Sequence, residues 1–186
     1  MREGLRALFL NKLKEIVIMT KGLIRSQKRG PALRQQVHKM TIPVNAVAIS
    51  VVGASGIGFG GVALRGLPEA NILILGAVSN MQFTAGANTI ATWTGSFGIG
   101  STLNAAGATL TGTTQDIVPS ATLAAATASV SPVTRSPQPT QSIVDNTDNS
   151  KAVYLNLLID DASISGTTPV TASGWVTLLY STLGDD

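Results

Sequence analysis

Apolar residues follow two different rhythms along the chain, changing at about residue 40. Up to that point Leu5, Leu8, Phe9, Leu13, Ile16, Val17, Leu23 and Ile24 recur largely at three- and four-residue steps, with Lys and Arg between them. That spacing gathers most of them on one side of a helix, so the pattern predicts a basic amphipathic helix. Gly30-Pro31 should stop it, because proline disfavours helical geometry in the residue before it. Residues 32–40 are then expected to be a connector.

From Met40 onward the period shortens to two. Val47, Ile49 and Val51 alternate with Ala48 and Ser50, and short apolar or Thr-rich runs follow at 59–64, 71–78, 80–84, 89–97, 107–118, 121–130, 152–159 and 169–180. Gly53 to Gly61, Gly66-Leu67-Pro68, Ala85 to Asn88 and Ser165 to Pro169 punctuate them as turns. Eight or nine short strands at near-regular spacing predict an all-β fold, an antiparallel β-sandwich or jelly roll, over residues 41–186, with residues 1–40 as its helical arm. Ala121 to Ala128 fits either a strand or a short helix. The runs VYLNLLI (153–159) and WVTLLY (175–180) are apolar on both faces and are expected to pair as a buried C-terminal hairpin, with Trp175 in the core. The polar, proline-containing stretch 131–150 is expected to be a surface loop.

Charge sharpens the boundary. Only 12% of residues are charged, about half the ~25% usual in soluble domains. Residues 1–40 hold ten of the thirteen Lys and Arg against Glu3 and Glu15, a net +8, while the rest of the chain carries −5. The arm's longest apolar runs are four residues, too short for a secretory signal core or a membrane span. A membrane-surface or targeting helix would need this pattern of cations, although Glu3 and Glu15 weaken it. The favoured expectation is docking of the apolar stripe on a partner subunit while the cations meet acidic groups. A natural start at Met40 is the other possibility.

Candidate chemistry is sparse. The chain has no Cys and one His (His38), which excludes disulfides, thiol nucleophiles and a histidine metal cage within one chain. VVGASGIGFGG (51–61) resembles a dinucleotide fingerprint, but its glycines fall as GxxGxG and Pro68 comes too soon for the helix that must follow. They are expected to form a tight turn close to another backbone. DNTDNS (145–150) has calcium-like oxygen spacing, yet Ser150 and Asn156 stand where the loop needs Gly and Glu, so a solvated turn is the simpler expectation. Asp160 and Asp161, adjacent in a strand, point to opposite faces. Without a His in the body no Ser-His-Asp triad is expected, and Lys151 lies in a polar turn. The chain is therefore expected to be no enzyme and to need no cofactor. Trp93, flanked by small polar residues in ATWTGSF, is the aromatic best suited to an exposed platform, whereas three cations give the body little electrostatic support for nucleic acid.

The stretches GFGGVALRGLPEANILILGAV (58–78), IVPSATLAAATASVSPV (117–133), IVDNTDNSKAVYLNLLIDDASIS (143–165) and VTASGWVTLLYSTLGDD (170–186) resemble small β-rich proteins encoded beside the major capsid protein of tailed bacteriophages, often capsid decoration or cement proteins. The resemblance covers about residues 57–186 and leaves out the arm. It implies a homo-oligomeric virion protein on the capsid surface, bound to the major capsid protein and stabilising the shell, with no small-molecule substrate and no membrane. The partner-binding residues of the arm are then expected to be Leu5, Phe9, Leu13, Ile16 and Val17 on the stripe and Arg25, Lys28 and Arg29 among the cations. A head-fibre or tail-associated receptor- or glycan-binding module is the alternative, with Trp93 and the 131–150 loop as its site.

Overall fold

The computed structural model describes residues 37–54, 56–85, 90, 94–105, 107, 109–123, 134–138, 142–160 and 166–183, with the backbone alone at 54, 134–138, 142 and 166. The helical arm expected over 1–30, Trp93 and Asp161 lie outside them. All described residues belong to one compact unit, Gln36–Asp186.

They form an all-β fold: β1 (Val37–Ala54), β2 (Ile57–Gly66), β3 (Asn71–Ala85), β4 (Gly95–Gly100), β5 (Val118–Thr122), β6 (Thr134–Gln138), β7 (Ser142–Asp145), β8 (Ala152–Asp160) and β9 (Gly166–Thr182). Every pairing is antiparallel, in the order β5-β4-β8-β2-β1-β9-β3-β6, with β7 also on β3. Formally this is one continuous sheet. Yet β1 and β2 pair only from Val52 opposite Phe59 to Ala54 opposite Ile57, beside the turn at Gly56 (φ 85°). Beyond that hairpin the strands part, and β2-β8-β4-β5 faces β1-β9-β3 with β6 and β7. The layers expected of a sandwich are thus halves of one curled sheet, and β5 and β6, at the ends of the path, lie against one another.

Alternation fills the space between the halves. Ile42, Val44, Ile49 and Val51 of β1, Ile72, Ile74, Met81 and Phe83 of β3, Phe97 and Ile99 of β4, Val153, Leu155, Leu157 and Ile159 of β8, and Val170, Ala172, Val176 and Leu178 of β9 are all buried in one cluster. Phe83 and Phe97 meet across it, ring centroids 5.5 Å apart and tilted by 55°, a favoured aromatic geometry. Fully burying side chains of this size contributes roughly 1.5 to 3 kcal/mol each.

Several expectations need correcting. The runs 153–159 and 175–180 lie on strands that are not neighbours: β8 pairs with β2 and β4, and β9 with β1 and β3. Period-two patterning says which side chains face the core, not which strand lies alongside. β9 instead runs beside β1 from Val37 opposite Ser181 to Gly53 opposite Gly166. That pairing draws residues 37–40 of the expected connector into β1. The run at 107–118 is a loop with one 3-10 turn (Gly112–Thr114) until β5 begins at Val118, the runs at 71–78 and 80–84 are one strand, and β6 and β7 occupy part of the stretch expected to be a surface loop. Of the ambiguous alanine segment, Ala121 lies in β5 and residues 124–128 fall outside the described set. Trp175 is not in the core but on the outer face, opposite Pro43 and Asn80.

Candidate functional site

The outer faces of the two halves are built differently. On the β2-β8-β4 half, Gly61, Asn156 and Gly98 share one register row, with Ala63, Tyr154 and Gly100 in the next. The described residues of the segment joining β4 to β5, 101–105, 107 and 109–117, lie against these rows through Thr102 to Asn104 and Thr113 to Gln115. A Cβ on Gly61 would come within 2.8 Å of Leu103 Cδ1, one on Gly98 within 3.1 Å of Gln115 Cβ, and one on Gly100 would overlap the Thr113 carbonyl. The glycines are the floor on which the loop rests.

Asn156, fully buried, fastens it. Its Oδ1 accepts from Asn104 N–H (2.8 Å), and its Nδ2 donates to the carbonyls of Thr102 (3.0 Å) and Thr114 (2.8 Å). Asp116 closes the loop base: Ser101 donates to it through both backbone N–H and hydroxyl, each at 2.7 Å. Burial pushes this carboxyl above its ordinary 3.8, while the bonds from Ser101 oppose the rise. Gln115 donates to the Leu110 carbonyl and accepts from Ser120 N–H, both at 2.8 Å. Polar groups here hold backbone, as buried amides must.

The DNTDNS turn behaves likewise. Asn146, fully buried, donates to the carbonyls of Leu67 (3.1 Å) and Pro68 (2.7 Å) and accepts from Lys151 N–H (2.6 Å). Asp145 caps Thr147 and Asp148 caps Ser150. Thr147 N–H holds the Asp145 carboxyl below its ordinary value, and the Ser150 hydroxyl does the same for Asp148. Both carboxylates are engaged locally, as in a solvated turn. Among the described residues no group of three His, Cys, Asp or Glu could hold a metal ion. Asp160 is exposed at the end of β8, and its N–H donates to the Thr94 carbonyl (2.8 Å). His38 stacks on Tyr180, centroids 5.3 Å apart.

On the β1-β9-β3 half the described outer face is open. Its rows read Thr41, Thr177 and Val78, then Pro43, Trp175 and Asn80, then Ser173 and Gln82. Thr41 and Thr177 hydroxyls lie 3.1 Å apart. Gly174 adopts φ 140°, and a Cβ there would overlap the Asn80 carbonyl, so only glycine fits. It faces a β1 bulge between Val44 and Val47, where Ala46 (φ 49°) donates its N–H to Ser173 Oγ at 3.3 Å. Beside Gly174 a shallow cavity of about 210 Å³ opens, lined by Asn80, Gln82, Ser173, Gly174 and half-buried Trp175. Asn80 Oδ1 is buried with no hydrogen-bond partner. Arg135 holds the register position beside Asn80 on β6.

The sequence singled out Trp93 and missed Trp175. The signal was Gly174 directly before it, a residue that opens a slot in a strand. It also missed Asn156, whose signal was one amide inside the apolar run VYLNLLI. Leu5, Phe9, Leu13, Ile16, Val17, Arg25, Lys28 and Arg29 all lie outside the described residues.

Among the described residues no helix is long and apolar enough to cross a membrane. No protein-family model matches the chain, and no curated protein matches it. Two solved structures similar to it come from virus or subviral particles. A chain of infectious bursal disease virus, Gt strain, is 10% identical, with a TM-score of 0.33 over 77% of this chain and 32% of its own. The VP2 subviral particle of infectious bursal disease virus gives 13% identity and a TM-score of 0.34 over 82% of this chain and 38% of the other. The chain thus spans about a third of the length of either.

Proposed function

We propose that this chain is a structural, non-catalytic virion protein that binds the outside of a tailed-phage head through the major capsid protein and copies of itself. The observation that carries the reading is how the body uses its polar groups: Asn156, Asn146, Asp116 and Gln115 all bind this chain's own backbone. Such a body offers surface and no reaction. The sequence resemblance supports the same role. Many copies on a shell multiply weak contacts into avidity, and ligation of the assembled state stabilises it by mass action.

In this reading residues 1–40 are the arm of a domain spanning 41–186, and the arm is the anchor. Leu5, Phe9, Leu13, Ile16 and Val17 dock, and Arg25, Lys28 and Arg29 meet acidic groups. Burying five such side chains contributes roughly 1.5 to 3 kcal/mol each, whereas exposed ion pairs contribute about 0 to 1 kcal/mol and are screened by salt. Because β1 begins at Val37, the informative deletion is residues 1–36. Co-sedimentation with undecorated heads should show full-chain binding at hundreds of copies per particle, loss on deletion, and a smaller loss in high salt. Equal binding by the deleted chain would remove the arm from the account. A dozen or fewer copies would favour the head-fibre or tail-associated module, the reading to which the Trp175 slot lends support.

A further inference from the structure

We propose that the slot beside Trp175 is a binding site for a single neutral sugar ring. Its lining supplies what a pyranose needs. A flat indole, partly open to solvent, offers an apolar surface to the ring's C–H face. Next to it Gly174 carries no side chain, so a ring can lie close to the backbone of β9. Asn80 and Gln82 bring two amides, each with a donor and an acceptor end, matched to neighbouring hydroxyls that also donate and accept. Ser173 adds a hydroxyl whose oxygen already accepts from Ala46, leaving its own proton to give. Asn80 Oδ1 is buried without a partner, and a turn of this amide towards the slot would let a sugar hydroxyl satisfy it.

Other ligand classes fit less well. None of the five described lining residues is charged, so what they offer a ligand is neutral hydrogen bonding rather than a counter-charge. It lies over β9 and β3, and β9 is paired with β1 on one side and β3 on the other, leaving no open edge there for an extended peptide to join. The volume of about 210 Å³ is below the ~300–1,000 Å³ of sites that enclose drug-sized molecules, which points to one ring rather than a buried chain. Three polar groups converging on an apolar wall is the usual make-up of a small-molecule site. The inference holds whether the copies coat a head or form a fibre, since it concerns the body alone.

The test is a titration of the isotopically labelled full chain by NMR with the methyl glycosides of glucose, galactose, mannose and N-acetylglucosamine, read at the Trp175 indole N–H and the side-chain amides of Asn80 and Gln82. At least one glycoside should give saturable shifts at all three groups. Gln82→Ala, a substitution on the outer face, should weaken that binding about tenfold while leaving backbone signals away from the slot in place, the loss of one hydrogen-bonding group. Trp175→Phe should retain weaker binding, and Trp175→Ala should abolish it. No saturable shift with any of the four glycosides, or shifts that Gln82→Ala and Trp175→Ala leave unchanged, would overturn the assignment. Neither result depends on whether the chain binds heads.

Discussion

The two outer faces of this one sheet show what the same strand chemistry becomes with and without a cover. On β2-β8-β4, glycines at 61, 98 and 100 remove side chains so that the described residues of 101–117 can lie against the strands, and the one long polar side chain between them, Asn156, is wholly committed to that loop. On β1-β9-β3 the amides are present but uncommitted: Asn80 Oδ1 has no partner, and Trp175 is half exposed. An amide in the first setting is a structural part and in the second a contact waiting for a ligand. Their chemistry is identical; the folded-back loop supplies backbone partners to Asn156, and Asn80 Oδ1 receives none.

The largest test of that contrast removes the clamp. Asn156→Ala would strand Asn104 N–H and the Thr102 and Thr114 carbonyls beneath the loop, at a cost of about 3 kcal/mol or more. Asn80→Ala removes an oxygen that bonds nothing and should change stability by less than about 0.5 kcal/mol. Urea denaturation of the two variants measures the gap, and similar losses would break the distinction between the faces.

Lifting the loop sterically should cost somewhat less. Gly100→Ala pushes a methyl into the Thr113 carbonyl and is expected to destabilise by about 1 to 3 kcal/mol. At Gly66 a Cβ would meet nothing within 4 Å, so Gly66→Ala should be neutral or slightly stabilising in the same assay.

A smaller effect follows from pH. Asp116 under the loop has a carboxyl pKa raised by burial, so its contribution is full below the ordinary 3.8 and is lost as pH rises through the folded value. Asp148 in the exposed turn is lowered by Ser150, so its contribution is present above 3.8 and is lost as pH falls through the folded value. As a buffer is taken from neutrality down towards pH 4, the stability gap between the native chain and Asp116→Asn should widen. The gap to Asp148→Asn should hold and then shrink below that point. Parallel trends would mean that the loop does not bury Asp116.

Much of the inner architecture was legible in the residues. Alternation in Val47, Ile49 and Val51 and in Val153, Leu155, Leu157 and Ile159 identified core-facing positions, because burial of one sheet face imposes period two directly. The glycine run 51–61 is a turn only at Gly56, its other glycines lying in β1 and β2, but the expected close backbone approach holds, since a Cβ on Gly60 would overlap the Ser50 carbonyl. Pairing was not legible: nothing in VYLNLLI or WVTLLY says that the β1-β2 hairpin separates them. Nor was coverage, which depends on where 101–117 folds back. That is why Trp175, which opens the apolar run 175–180, reads as a core residue and stands outside the core.

The most direct measurement compares two side-chain amides in one spectrum. Hydrogen exchange at the Nδ2 protons of Asn156 and Asn80, followed by NMR on the native chain, reads coverage with no substitution at all. Asn156, which donates to two carbonyls under the loop, should exchange orders of magnitude more slowly than a free amide, and Asn80, for which no such bond holds the amide, should exchange well ahead of it. Equal rates at the two positions would contradict the account.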